Sequence, residues 1–219
     1  MKKPYRLVVF DWEGTLGDTL GHVLTTLDAE AKRLQFGELD VCSARRYVML
    51  GLVKMIKKLF PDLNLYQQEQ LLQAVQRVLY TTTADGHLFP GALHVVQEMH
   101  HEGIDLAIAT NRGAQSLKRA LHESGLGKYF KVTRSAGQSP PKPCPQMIEE
   151  IMEVFGVSPS ETLMIGDSLT DIEMSELAGV DAIGVDFYHQ HKAELLASGA
   201  LQVFDDYMKL AQYLELSNC

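Results

Sequence analysis

At 219 residues, with 46% hydrophobic and 22% charged residues, the chain is long enough to bury a core without staples. Its formal net charge of −8 and pI of about 5.5 exclude the basic footprint of a protein that grips nucleic-acid backbone. Cys42, Cys144 and Cys219 are widely spaced and form no C-x-x-C or Cys/His ligand pattern. They exclude a disulfide framework and a structural zinc site and point to a reduced, cytoplasmic setting.

In chain order, a basic start (Met1 to Arg6) leads into the apolar run Leu7-Val8-Val9-Phe10. Four residues are too few for a signal-peptide core or a membrane span. Bounded by charge, the run reads as a strand buried on both faces. Residues 18–83 lack such runs and read as helical. Leu20, Val23, Leu24, Leu27, Ala31 and Leu34 recur at helical spacing before Gly37. Val48, Leu52, Met55, Ile56 and Leu59 form a second stripe that ends before Pro61. Leu71, Leu72, Val75, Val78 and Leu79 form a third, with Asn64 as its predicted cap. Lys54, Lys57 and Lys58 read as a solvated helix face.

From Phe89 the rhythm alternates. A helix opens at Pro90-Gly91 and ends near Gly103, and Leu106 to Ala109 is a buried strand. A helix over 114–124 stops at Gly125, residues 131–133 form a short strand, and a helix over 146–155 stops at Gly156. Ser158 and Glu161 resemble a capping box. Leu163 to Ile165 is a strand, residues 171–178 a helix stopped by Gly179, and residues 182–185 a strand. The order predicts an α/β, Rossmann-like parallel sheet with helices on both faces. The first strand must join that sheet, so the helical stretch is an insertion. The predicted core is 1–15 with 86–219, and the predicted helical cap is 16–85.

Ligands of open parallel sheets bind beyond the carboxyl ends of the strands. Those ends carry Asp11-Trp12-Glu13-Gly14-Thr15, then Thr110-Asn111, then Gly166-Asp167-Ser168 with Asp171 one turn on; Lys142-Pro143 precedes a helix. Clustered carboxylates repel and imply a hard cation such as Mg²⁺. A cation with a lysine and short polar donors suits a phosphoryl group. Asp11 can act as a nucleophile that splits one displacement into two. Any one carboxylate could be a loop cap or turn former, and Asp18 and Asp205 read that way.

In this order Asp11-x-Glu13-Gly14-Thr15-Leu16, Thr110-Asn111, Lys142-Pro143 and Gly166-Asp167-Ser168-x-x-Asp171 resemble the four-motif signature of the haloacid-dehalogenase-like hydrolases, over nearly the whole chain. The helical insertion resembles the subclass I cap, and Phe89-Pro90-Gly91 with the stretch from Thr133 to Asp171 resembles the phosphoglycolate-phosphatase-like branch. The resemblance implies a phosphatase acting on a small phosphorylated metabolite, with Mg²⁺ as cofactor, as a monomer or dimer. It implies that Asp11 attacks phosphorus and that Asp11, Asp167 and the Glu13 carbonyl hold Mg²⁺, with Asp171 a ligand or a partner behind it. Thr110, Asn111 and Lys142 would hold the phosphoryl oxygens. The cap would close over the site and select the leaving group.

One position departs. The family's acid two residues after the nucleophile is usually Asp and here is Glu13, one methylene longer. That acid protonates the leaving oxygen and then activates water. A retuned phosphatase and a weakened phosphate-binding module both follow. A haloacid dehalogenase would not need Asp167 and Asp171. A phosphonoacetaldehyde hydrolase would need a cap lysine such as Lys54 and no acid at Glu13. A phosphohexose mutase shares the core. Trp12 should point into the core. His100, His101, His189 and His191 lack acidic partners for a metal. Arg45 and Arg46 could meet a substrate carboxylate or face solvent, and Arg112 is a closer candidate for a substrate contact.

Overall fold

Alternating residues of the first strand decide how the molecule is layered. In the computed structural model, which describes residues 5–82 and 86–216, β1 (Leu7–Phe10) is buried along its whole length. Val8 and Phe10 enter one hydrophobic cluster and Leu7 and Val9 the other, as the two-residue period of a strand requires. Around it lie β2 (Asp105–Gly113), β3 (Val132–Ala136), β4 (Thr162–Gly166), β5 (Asp181–Val185) and β6 (Val203–Phe204). All pairings are parallel, in the order β3-β2-β1-β4-β5-β6.

Helices α5 (Ala92–His101), α6 (Ala114–Glu123) and α10 (Tyr207–Tyr213) cover one face. Helices α7 (Gln146–Phe155), α8 (Leu169–Ala178) and α9 (Lys192–Ala197) cover the other. Each fully buried aliphatic or aromatic side chain contributes roughly 1.5–3 kcal/mol, so the four side chains of β1 together contribute roughly 6–12 kcal/mol and tie the two layers to one strand. The Rossmann-like α/β expectation holds. The strand order reverses at β1, which places its carboxyl end at the switch point where such sheets bind ligands.

Between β1 and β2 run α1 (Thr19–Arg33), α2 (Val41–Ala44), a 3₁₀ turn (Arg45–Leu50), α3 (Leu52–Leu59) and α4 (Leu65–Thr81). They bury a separate cluster built on Leu24, Leu27, Met55, Ile56, Leu71 and Val75. The expected second stripe is split, because Gly51 takes φ +78° and separates the 3₁₀ turn from α3. Asn64 caps α4 by accepting from Gln67 N, as its sequence implied. Lys54, Lys57 and Lys58 are exposed.

Two linkers join this layer to the sheet, and they pair with each other: Asp18 N donates to His87 O (2.9 Å) and Phe89 N to Leu16 O (3.0 Å). The sequence predicts no helix or strand after residue 185, whereas the structure adds β6, α9 and α10, which are short, two to seven residues, and carry little periodicity. The third short strand runs to Ala136 rather than Thr133. Cys144 is a free thiol. Cys219, the first four residues and the side chains of Cys42, Arg46, Val48 and Met49 lie outside the described set, as does Thr83. No helix among the described residues is long and apolar enough to cross a membrane.

Candidate active site

The sheet delivers its polar residues by register. Phe10 pairs with Ile108 of β2 and Ile165 of β4, so Asp11, Thr110 and Asp167 follow within two residues of one transverse line. Asp11 N donates to Ile165 O (2.9 Å), which continues the ladder by one step and fixes the start of the loop. Gly14 then turns at φ +74°, and a Cβ there would lie 2.0 Å from Asp167 Oδ2, so only glycine admits the carboxylate.

Asp11, Asp167 and Asp171 bring carboxylate oxygens within 4.8 Å of one another. Lys142 Nζ lies 2.8 Å from Asp11 Oδ1 and 2.5 Å from Asp171 Oδ1, with its side chain 2% exposed. The second oxygen of Asp171 accepts from Ser168 N (3.1 Å) and Oγ (2.7 Å). Both Asp171 oxygens are therefore engaged, and the residue is fully buried. Thr15 Oγ1 donates to Asp167 Oδ1 at 3.2 Å.

Electrostatics follow from three acids around one base. Burial, then the charge of Asp171, raises Asp11 above the usual carboxylate range against the pull of Lys142. Burial, then Asp11 and Asp171, raises Asp167 to about 8. Burial works to lower Lys142, but Asp11 and Asp171 outweigh it and hold it above its ordinary value. With all three carboxylates ionised, one ammonium would leave two negative charges, which a divalent cation would neutralise. The donor set is all oxygen and hard, so the residues fit Mg²⁺.

Two extra residues in β2 build the opposite wall. Thr110 pairs with Ser135 and Gly113 with Ala136, so Asn111 and Arg112 bulge from the ladder. Asn111 Oδ1 accepts from Lys142 N (2.9 Å) and pins the lysine's loop. Thr110 Oγ1 accepts from Arg112 N (3.2 Å), which leaves its own proton to donate elsewhere. Arg112 Nη1 reaches Glu13 Oε2 at 3.0 Å.

These residues open onto a cavity of about 540 Å³, a size suited to a small ligand. The loop after β5 completes it with Phe187, Tyr188, Gln190 and His191, and Leu20 of α1 adds an apolar contact. Asp186 shapes that loop by accepting from Gln190 N, His191 N and Lys192 N.

The profile of the haloacid dehalogenase-like hydrolase family matches residues 8–185. The chain belongs to that family. It is 30% identical to the protein named probable phosphatase IndB of Dickeya dadantii, over 91% of this chain and 89% of that one. It is 29% identical to the phosphoglycolate phosphatase of Vibrio vulnificus, over 96% of this chain and 95% of that one. A solved HAD family hydrolase from Deinococcus radiodurans, with bound phosphate and sodium, shares the fold at TM-score 0.66 and 19% identity, covering 98% of this chain and 97% of that one.

All seven site residues expected from sequence, Asp11, Glu13, Thr110, Asn111, Lys142, Asp167 and Asp171, lie around this one sheet edge, and all but Asp171 line the cavity. Trp12 is buried in the core with Gly17 packed on its ring. Lys54 is exposed and not part of the cavity wall. Against the expectation that they lack acidic partners, His189 lies 3.9 Å from Asp205 and His191 3.1 Å from Glu194, and His191 also lines the cavity.

Arg45 pairs with Asp18 and lies over the rings of Phe89 (5.0 Å) and Tyr188 (5.7 Å), with its side chain 11% exposed, so the partner that the structure gives it is a carboxylate of its own chain. Asp18 does cap α1, through Gly21 N, but also accepts from Tyr188 OH at 2.6 Å. The β5 loop was missed, although Val185 ends a buried strand and the same strand-end rule would have pointed to Asp186.

Proposed function

We propose that this phosphoric monoester hydrolase depends on Mg²⁺ and transfers the phosphoryl group of a small organic monoester to Asp11 before water releases it. The observation that carries the reading is the set Asp11, Lys142 and Asp167 at the end of β1, a nucleophile held between a buried ammonium and a second acid. Asp11, Asp167 and the backbone carbonyl of Glu13 would hold the cation. When bound, it neutralises the carboxylates and the phosphoryl oxygens.

Asp11 attacks phosphorus as the bond to the leaving oxygen breaks, and Glu13 supplies that oxygen's proton. Glu13 then takes a proton from the water that attacks the aspartyl-phosphate, and Asp11 leaves. Lys142 favours the ionised form of Asp11 against burial, and Thr110 Oγ1 donates to a phosphoryl oxygen. The hydrogen bonds of Asp171 support a role in fixing Lys142 rather than in contacting metal. Asn111 fixes the lysine's loop from the other side. The proposal includes the division into a core of 1–15 and 86–219 and a cap of 16–85, and a cytoplasmic setting. Relatives named phosphoglycolate phosphatase support a phosphoglycolate-like substrate, and a sugar phosphate fits the cavity's size equally.

Phosphate release from p-nitrophenyl phosphate and a panel of small esters, with Mg²⁺ or EDTA, tests this. Turnover should need both Mg²⁺ and Asp11 and vanish in Asp11→Asn. Folded, Mg²⁺-binding protein with no turnover on any ester would instead favour a phosphate-binding module.

A further inference from the structure

Glu13 carries its carboxyl at the end of three rotatable bonds, and its side chain is 49% exposed. A glutamate so placed spreads over many rotamers unless something holds it. An acid that must protonate one oxygen and then deprotonate one water cannot spread, because displacement by about 1 Å costs on the order of 100-fold in rate. The structure supplies a holder. Arg112 Nη1 lies 3.0 Å from Glu13 Oε2, and Arg112 Nε donates to Ser116 Oγ at 2.8 Å, in the first turn of α6. The arginine side chain is 15% exposed. Its backbone is set by the β2 bulge and by the bond from Arg112 N to Thr110 Oγ1. The guanidinium thus bridges a strand end, a helix start and the loop of the nucleophile.

We propose that Arg112 is the positioning residue for Glu13, holding the longer acid against the cavity wall in the orientation that proton transfer needs. This rests on the hydrolase reading above. The contact engages Oε2, which leaves Oε1 to give its proton to the leaving oxygen as the phosphorus–oxygen bond breaks, and to take one back from water in the second step. An ion pair this close to solvent adds little to folding. Its worth lies in geometry, so stability and turnover should respond differently to its loss.

The test is a cycle of Arg112→Gln, Arg112→Lys, Glu13→Asp and the double variant Glu13→Asp/Arg112→Gln, assayed on an alkyl phosphate with Mg²⁺. In the wild-type background Arg112→Gln should lower kcat about 10- to 100-fold, with KM within about threefold and the thermal midpoint unchanged. Arg112→Lys should recover part of the loss. In Glu13→Asp the carboxyl retreats by roughly one bond length and loses the arginine, so adding Arg112→Gln should cost under about threefold. Equal losses in both backgrounds would overturn the proposal. So would a rise in KM at constant kcat, which would make Arg112 a substrate contact. Full activity of Arg112→Gln beside an active, Asp11-dependent wild type would overturn the pairing alone. A wild type without Asp11-dependent turnover would overturn the hydrolase reading, and the pairing with it.

Discussion

Removing the carboxylate of Asp167 should stabilise the metal-free protein at pH 8 and leave it nearly unchanged at pH 4. Burial, then Asp11 and Asp171, raise this carboxyl to about 8. In the unfolded chain it titrates at about 3.9. Between those values the folded protein keeps a proton that the unfolded chain has released. Stability is therefore fully present below about pH 4, falls as pH rises, and levels off above pH 8. At about 1.4 kcal/mol per pH unit the full span is on the order of 5 kcal/mol.

Asp167→Asn has no proton to lose and keeps an oxygen for Thr15 Oγ1. Urea unfolding in EDTA at pH 5, 6.5 and 8 measures the difference. Relative to the variant, wild type should lose on the order of 4 kcal/mol between pH 5 and 8. Taking the difference cancels groups such as His22, whose pKa is lowered by burial and by His87 and which acts in the opposite sense. Millimolar Mg²⁺ should restore wild type at pH 8 far more than at pH 5, where binding must first displace the proton, and should not act on the variant. Parallel pH profiles for the two proteins, or equal Mg²⁺ stabilisation at pH 5 and pH 8, would refute the account.

Gly14→Ala should fold but bind Mg²⁺ at least tenfold more weakly. The new methyl meets Asp167 Oδ2 at 2.0 Å, and the φ of +74° adds strain of about 1–3 kcal/mol. Calorimetric Mg²⁺ titration checks it, and affinity within threefold of wild type would count against Asp167 as a ligand. Tyr188→Phe should cost about 1.5–3 kcal/mol, because the hydroxyl donates to the buried carboxylate of Asp18 at 2.6 Å. Arg45→Met should cost more, about 3–5 kcal/mol, because it leaves Asp18 without the cation paired to it. Both are read by urea unfolding, and a loss below 0.5 kcal/mol in Tyr188→Phe would show that the phenol contributes only its ring.

What could be read from the chain and what could not divides by distance along it. Buried strands announce themselves as continuous apolar runs, and a parallel sheet turns the residue after each run into a neighbour of the others; Asp11, Thr110 and Asp167 needed no more than that. The same rule extends to the β5 loop through Asp186, but that carboxylate accepts from three backbone N–H groups of its own loop, and the Phe187, Tyr188 and His191 that follow it belong to no phosphate-binding pattern in the sequence. Arg45 shows a different limit. Its charge promised a ligand or solvent, and only the fold reveals Asp18 and two aromatic rings around it.

Glu13 shows the same limit at the centre of the site. Read alone, the extra methylene admits either a retuned acid or a misplaced one. Yet 99 residues along the chain, a two-residue bulge in β2 sets an arginine within 3.0 Å of that carboxylate. A longer acid and a cation that reaches it form one device, and neither half signals the other in sequence. The departure at Glu13 is therefore better judged with Arg112 than against the shorter residue usual in the family.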